Sequence, residues 1–182
     1  TIYVWHTTGV KTIEDATKKE ILMGGTGAGS NSVLYPTIFN NMLGTKFKVI
    51  MGYRSTGDVN LATERGEVQG RAGETFNVLV ANEADWLRDK KINILVQIGL
   101  NKAPDLPNVP LLMDLAKNEA DRQVLRLLSA PSAVGRPVFT TPDVPAERVA
   151  ALRGAFDKML KDAGFLEDAK KSNMEVDPVS GE

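Results

Sequence analysis

The stretch from residue 24 to residue 32 has the residue types and the spacing that bind small anions. It follows a predicted buried strand and precedes a predicted helix, so unpaired backbone N–H groups and the positive end of a helix dipole meet there. Glycine lets a ligand approach the backbone closely, and hydroxyl and amide side chains add donors. The candidate ligand-binding residues are Gly25, Thr26, Gly27, Gly29, Ser30, Asn31 and Ser32.

Two nucleotide-binding motifs do not fit this stretch. A P-loop requires Lys after its last glycine, and the residue after Gly29 is Ser30. A dinucleotide fingerprint counted from Gly25 also meets Ser30 where its third glycine belongs, and Gly52 stands where its acidic residue would follow the next strand. The structural alternative is a tight turn whose hydroxyls cap its own amides. Both an anion site and a self-capped turn remain open on these residues.

A second polar loop follows the next predicted strand and contains Arg54, Ser55, Thr56 and Gly57. The carboxyl ends of parallel strands meet at one edge of a sheet, so we expect this loop to lie beside the first. Arg54 has the geometry to pair with a carboxylate through two hydrogen bonds. Ser55 or Thr56 fits the N-cap of the following short helix equally well.

Arg71 and Glu74 end the strand after that, and two roles fit them. They either complete the rim of the site, which makes Glu74 a further candidate ligand-binding residue, or they pair with each other. An acid that faced a carboxylate ligand would repel it unless Arg54 or Arg71 neutralised the charge.

The composition excludes several kinds of chemistry. The 182 residues contain no Cys and one His, which excludes disulfides, thiol nucleophiles and multi-His metal centres. His6 has no partner constellation and there is no Gly-x-Ser-x-Gly elbow, so we predict neither catalysis nor a cofactor nor a metal. A net charge of −1 does not favour nucleic acid. The longest apolar stretch, residues 92–100, is too short to span a bilayer.

The pattern of elements predicts an α/β fold with a mainly parallel sheet flanked by helices. Strands are predicted over residues 2–6, 20–23, 47–51, 68–73 and 92–100, with helices between them. The pattern changes near residue 131. A strand is predicted over 134–140, followed by an amphipathic helix that starts at Pro145 and a second helix over 165–171.

The order of these motifs resembles the substrate-binding receptors of tripartite tricarboxylate transporters, the TctC or Bug type. The matching segments, in order, are YVWHTTGVKTIED, GGTGAGSNS, VIMGYRSTGDVNLATERGEVQGRAGE, APDLPNVPLLMDLA and GRPVFTTPDVPAERVAALRGAFDKML. The resemblance implies a type II periplasmic-binding-protein lobe that binds a small organic carboxylate. It places the carboxylate on the loop over residues 25–32 and the loop over 53–57 in the cleft, where many relatives have Lys at the position of Arg54. The segment containing Glu74 matches only a subset of the family.

The resemblance also implies how the chain is divided. Residues 1–133 correspond to the ligand-binding second lobe, and residues 134–182 to a crossover strand and C-terminal helices that belong to the first lobe. The first lobe and a secretion signal are expected upstream, which implies a periplasmic location, membrane permease subunits as partners and no catalysis. The exposed lobe face makes dimerisation of the truncated chain a further expectation.

Two other classes of protein fit the same loop. One is an α/β enzyme that uses it as a phosphate or anion cradle, and the other is the ligand-sensing domain of a regulator, which shares the two-lobed fold. An activated nucleophile would favour the first, and an upstream helix-turn-helix would favour the second.

Overall fold

The computed structural model describes residues 1–134, 137–172, 174, 176, 178 and 179, with the side chains of 133 and 134 excepted. The chain divides into two compact units, Thr1–Ala133 and Val134–Glu182. We describe each unit separately. Their assignment to two lobes of a receptor stays a prediction.

The first unit is built on a five-stranded sheet in which four strands run the same way. Strand β2 pairs in parallel with β3 and β4, whereas β1 pairs antiparallel with β4 and β5. The predicted α/β fold with a mainly parallel sheet is therefore confirmed, with β1 as the reversed strand. In chain order the strands are β1 Ile2–Trp5, β2 Ile21–Gly25, β3 Phe47–Met51, β4 Gly70–Ala72 and β5 Ile92–Val96, and their spatial order is β3-β2-β4-β1-β5.

Helices cover both faces of this sheet. One face carries a core in which Met23, Phe39 and Leu125 are fully buried, and on the other face Tyr3 and Trp86 meet edge to face with ring centroids 6.1 Å apart. The helices of the first unit are α1 Asp15–Lys18, α2 Asn31–Leu43, α3 Thr56–Glu64, α4 Phe76–Asn82, α5 Ala84–Arg88 and α6 Glu119–Ser129, with 3-10 turns at His6–Thr8 and Leu112–Leu115. Helix α7, Pro131–Val134, ends at the first residue of the second unit.

Strand β5 is shorter than predicted because Gln97 bonds to a loop instead of continuing the ladder. Its buried side chain donates to the carbonyls of Leu106 and Val109 at 2.9 and 2.8 Å and accepts from the amide of Ala103 at 2.7 Å. Its backbone makes a single parallel bridge to Leu111. The three hydrogen bonds of this one glutamine side chain thus hold the proline-rich loop over 103–110 in place.

The second unit contains the two predicted C-terminal helices, α8 Ala146–Met159 and α9 Ala163–Lys171. Pro145 lies at the N-cap of α8, as its position in the sequence predicts, and Asp162 caps α9 by accepting from the amide of Phe165 at 2.9 Å. The predicted strand over 134–140 is wrong for the residues described there: Val134 ends α7, and 137–140 have no regular structure. Residues 135 and 136 lie outside the described chain. β-branched and aromatic residues form a strand only where a neighbouring strand completes the ladder.

None of the described helices is long and apolar enough to cross a membrane.

Candidate functional site

Three loops leave the same edge of the sheet and form the candidate site. Strands β3, β2 and β4 are neighbours and parallel, so the loops that follow them lie side by side at their carboxyl ends. Gly25 at the end of β2 is level with Met51 of β3, and Gly24 is level with Arg71 of β4. The structure therefore brings together the two polar loops that the sequence places at one edge.

Three amides of the glycine-rich loop donate to hydroxyl or carbonyl groups of the same loop and the helix that follows it. The amide of Thr26 donates to Ser32 Oγ at 3.1 Å, the amide of Gly27 donates to Ser30 Oγ at 3.4 Å, and the amide of Ser30 donates to the carbonyl of Gly27 at 2.9 Å. The two serine hydroxyls are 2.7 Å apart. For these three amides the self-capped turn is the arrangement observed.

The remaining amides of the loop differ in that none of them makes a hydrogen bond within the described chain, although Ser32 itself is buried. Within the part of the chain that the structure describes, the amides of Ala28, Gly29, Asn31 and Ser32 donate to no protein group. Ser30 is the N-cap of α2 in an extended conformation, and its side chain does not cap the helix. The amides of Asn31 and Ser32 are the first two of a 13-residue helix, where the helix dipole favours a negative charge.

Gly73, in the third loop, packs against this first turn of α2. Its φ of +87° is in the left-handed region, and its amide donates to the carbonyl of Thr1 at 3.0 Å. A Cβ at this position would lie 2.6 Å from Asn31 Cβ and 3.1 Å from Ser32 N. Glycine is required here because the two backbones approach so closely.

The Arg54 loop supplies a cation and a helix cap. The side chain of Arg54 is exposed. Ser55 is the N-cap of α3 and accepts from the amide of Asp58 at 3.1 Å, while Thr56 and Gly57 are the first residues of that helix. The capping role predicted as the alternative for Ser55 is therefore observed, and Arg54 remains the charged group of this loop.

Arg71 and Glu74 pair with each other, the second of the two roles that the sequence allowed. Arg71 Nη1 and Glu74 Oε1 are 3.1 Å apart, and their side chains are 5% and 4% exposed. The hydroxyl of Tyr3 lies 3.0 Å from both Glu74 Oε2 and Asn60 Oδ1, and Arg71 Nη1 donates to Asn60 Oδ1 at 3.3 Å. We call these four residues the polar cluster. Glu74 lies buried within it, and a direct role in ligand binding stays a prediction.

Sequence reasoning did not find two members of the polar cluster, Tyr3 and Asn60. Tyr3 meets Glu74 although the two residues are 71 positions apart, because reversed strand β1 pairs Tyr3 with Arg71. No local pattern carries that information. Burial raises the pKa of the Tyr3 hydroxyl well above its ordinary value, and the neighbouring Glu74 carboxylate raises it further, so the hydroxyl stays protonated.

Glu83 gives the cluster a pH-dependent neighbour. Asn60 Nδ2 donates to Glu83 Oε1 at 2.8 Å. Burial raises the pKa of Glu83, the hydrogen bond from Asn60 opposes this, and the nearby carboxylates of Glu74, Glu64 and Asp85 raise it again. The folded chain therefore binds this proton more tightly than the unfolded chain does. The resulting stabilisation is complete at low pH and is lost as the pH rises through the raised pKa.

We expect Glu83→Gln, which cannot ionise, to gain stability relative to the natural chain as the pH rises from 4 to 7. Its amide oxygen can still accept from Asn60. Urea unfolding across that range measures the difference, with Glu67→Gln on an exposed turn as the control for losing one negative charge. A difference that is constant, or that shrinks as the pH rises, would contradict the assignment.

No group of three or more His, Cys, Asp or Glu within the described residues is placed to hold a metal ion. The described residues at this edge offer hydrogen-bond donors and the exposed cation of Arg54, a combination that suits an anion.

Several solved structures share this fold, among them the following two. A TctC solute-binding protein from Polaromonas, solved without a ligand, superposes with a TM-score of 0.64 at 17% identity, covering 99% of this chain and 58% of that protein. The R. palustris protein Rpa4515, solved with adipate, gives a TM-score of 0.59 at 15% identity, covering 94% of this chain and 54% of that protein. No protein-family model and no curated protein matches the sequence. The chain spans little more than half the length of these two neighbours. Its resemblance to the TctC type is confirmed at the level of the fold.

Proposed function

We propose that this chain, which has the fold of TctC-type solute-binding proteins, is the carboxylate-binding part of an extracytoplasmic solute receptor. The observation that carries the proposal is the pair of unoccupied amides of Asn31 and Ser32 at the N-terminus of α2. They lie at the sheet edge that Arg54 also lines, in a fold that a neighbour solved with adipate shares. The receptor would deliver its ligand to the membrane subunits of a tripartite transporter.

The binding chemistry follows from the donors present. The two oxygen atoms of a carboxylate accept hydrogen bonds from consecutive backbone amides, and the helix dipole adds electrostatic attraction. Arg54 increases the attraction from the adjacent loop. Since no general acid, base or nucleophile is required, the ligand would be released unchanged, as a transport receptor needs.

Residues 1–133 would form the second lobe of a two-lobed receptor, and residues 134–182 would form the part that returns to the first lobe. In such a receptor the two lobes close on a ligand between them, and one lobe alone supplies about half of the contacts. We therefore expect this chain by itself to bind a carboxylate weakly, with a Kd of roughly 1 mM or above. The periplasm is the corresponding location.

An NMR titration of the chain with sodium adipate tests the proposal. We expect the amide resonances over 28–32 to shift, with the largest changes at Asn31 and Ser32, whereas sodium chloride at the same ionic strength leaves them in place. Arg54→Ala should weaken binding about tenfold, corresponding to ~1.4 kcal/mol. Arg65→Ala is the matched control, because it removes the same exposed charge at the opposite end of α3.

The absence of shifts over 28–32 up to 50-fold above the expected Kd of roughly 1 mM, in a folded protein, would refute the carboxylate site. Tighter binding of inorganic phosphate at the same amides, together with turnover of a phosphoester, would instead identify an enzyme that uses the loop as an anion cradle.

A further inference from the structure

The polar cluster buries two charged side chains, and it contributes little net stability in return. Its position next to the candidate site is the better explanation for its presence. A buried ion pair is often no more stabilising than apolar residues of similar volume, because both charges lose their hydration. In addition, Arg71 Nε is buried and donates to no group among the residues that the structure describes. Buried donors are nearly always paired, so this guanidinium does not gain all the hydrogen bonds that would offset its burial.

The cluster connects three elements at the edge where the site lies. Tyr3 belongs to β1, Asn60 to α3 and Arg71 to β4, while Glu74 follows the turn after β4. The ion pair joins two side chains three residues apart, so it closes the turn that contains Gly73.

Thr1 holds this turn from a second direction, through its backbone and its side chain. Gly73 donates to the carbonyl of Thr1 at 3.0 Å, and Thr1 Oγ1 donates to the carbonyl of Glu74 at 2.9 Å. At the top of the turn, Gly73 contacts the first turn of α2, whose amides at 31 and 32 are the proposed donors. A shift of the turn would therefore move those donors or release them.

We infer that the polar cluster is the positioning device of the carboxylate site: the Arg71–Glu74 pair holds Gly73 against Asn31 and Ser32 and so fixes the direction of their amides. Arg71 is thus a positioning residue, because its charge is already paired with Glu74. Arg54 is the cation that faces the ligand. This inference rests on the proposed function for its purpose, although its geometric consequence can be measured without any ligand.

The test separates positioning from stability by removing both charges at once. The double variant Arg71→Met with Glu74→Leu leaves no buried charge unpaired, so we expect its urea midpoint to stay close to that of the natural chain. We expect the ligand-free amide shifts of Asn31 and Ser32 to change and hydrogen exchange at the Gly73 amide to accelerate at least tenfold. Adipate affinity should fall at least tenfold.

Tyr3→Phe provides a second variant in case the double variant does not fold. It removes the hydroxyl that contacts Glu74 and Asn60 but keeps the ring against Trp86. We expect the amide shifts of Asn31 and Ser32 to change less in this variant than in the double variant. Tyr35→Phe is its control, because that hydroxyl donates to the carbonyl of Leu128 at 3.3 Å, outside the polar cluster.

Folded variants with unchanged shifts at Asn31 and Ser32 and unchanged exchange at Gly73 would overturn the inference. Changed shifts and exchange, in a chain whose natural form does not respond to adipate, would support the positioning role and refute the carboxylate site. The two ideas can therefore fail separately.

Discussion

Gly73→Ala is expected to displace the first turn of α2 and to weaken the proposed carboxylate binding. The substitution forces a side chain onto a residue with φ of +87°, and its Cβ would lie 2.6 Å from Asn31 Cβ and 3.0 Å from the carbonyl carbon of Asn31. The left-handed conformation and the overlap with backbone atoms together should cost about 2–4 kcal/mol. We expect adipate affinity to fall at least tenfold, measured by the same NMR titration after urea unfolding has established the fraction folded.

Two glycine substitutions in the same unit separate the causes. Gly66 has a φ of +77° and open space around it, so Gly66→Ala measures the backbone cost alone, about 1–2 kcal/mol, with binding unchanged. Gly27 has neither positive φ nor a close neighbour, so Gly27→Ala tests a side chain within the loop itself. If Gly73→Ala costs no more than Gly66→Ala and binds adipate normally, the close approach to α2 does not position the amides.

The elements that create the site could be predicted because their signals are local. A buried strand, a glycine-rich turn and a helix follow one another between residues 21 and 43, and the helix ends at Gly44 in the left-handed conformation, as its sequence indicates. The exposed edge location of Arg54 follows in the same way from the strand before it. Parallel neighbours then place these loops together without further information.

The number of free amides could not be predicted in the same way. Ser30 and Ser32 fit either a ligand or the loop's own backbone, and the choice depends on side-chain rotamers that the sequence does not encode locally. The structure shows a division: the amides of Thr26 and Gly27 are satisfied by these hydroxyls, whereas the first two amides of α2 are not. The proposed anion site therefore has fewer amide donors than the glycine-rich stretch suggests.

The direction of β1 and the role of Arg71 depend on pairing between distant segments. Nothing near Tyr3 indicates that it pairs antiparallel with Arg71, and without that pairing the choice between a rim and an ion pair stays open. The prediction of a strand over 134–140, which is wrong for the residues described there, failed for the same reason, because residues with high β-propensity become a strand only beside a partner.

Gly70→Ala is expected to be the most damaging single substitution because Gly70 lies where β4 meets β1. Gly70 is level with Val4 on β1 and with Met23 on β2, so it has strands on both sides. A Cβ there would overlap the carbonyl oxygen of Tyr3 and lie 2.9 Å from Val4 Cα. Both are backbone atoms of a paired strand, which cannot rotate away as a side chain can.

We expect Gly70→Ala to destabilise the chain by about 4 kcal/mol or more, which is a large part of the stability of an ordinary domain. Circular dichroism and urea unfolding at 25 °C measure the loss. Gly24→Ala is the matched control: it lies on the neighbouring strand β2, and its Cβ would meet the side chain of Val59 at 2.5 Å, which can adjust at a cost of about 1–3 kcal/mol. A Gly70→Ala protein as stable as the Gly24→Ala protein would show that β1 tolerates a wider separation from β4.

Gly70→Ala and Gly73→Ala are expected to disrupt different parts of the structure. Moving β1 from β4 separates Tyr3 from Glu74, so Gly70→Ala removes the polar cluster together with the sheet, and fold and binding should be lost in parallel. Gly73→Ala leaves the strands paired and changes only the contact with α2, so binding should be lost from a chain that is still largely folded. If the backbone geometry of the site determines binding, rather than one charged side chain, Gly73→Ala should lose binding while it stays folded, and Gly70→Ala should lose both.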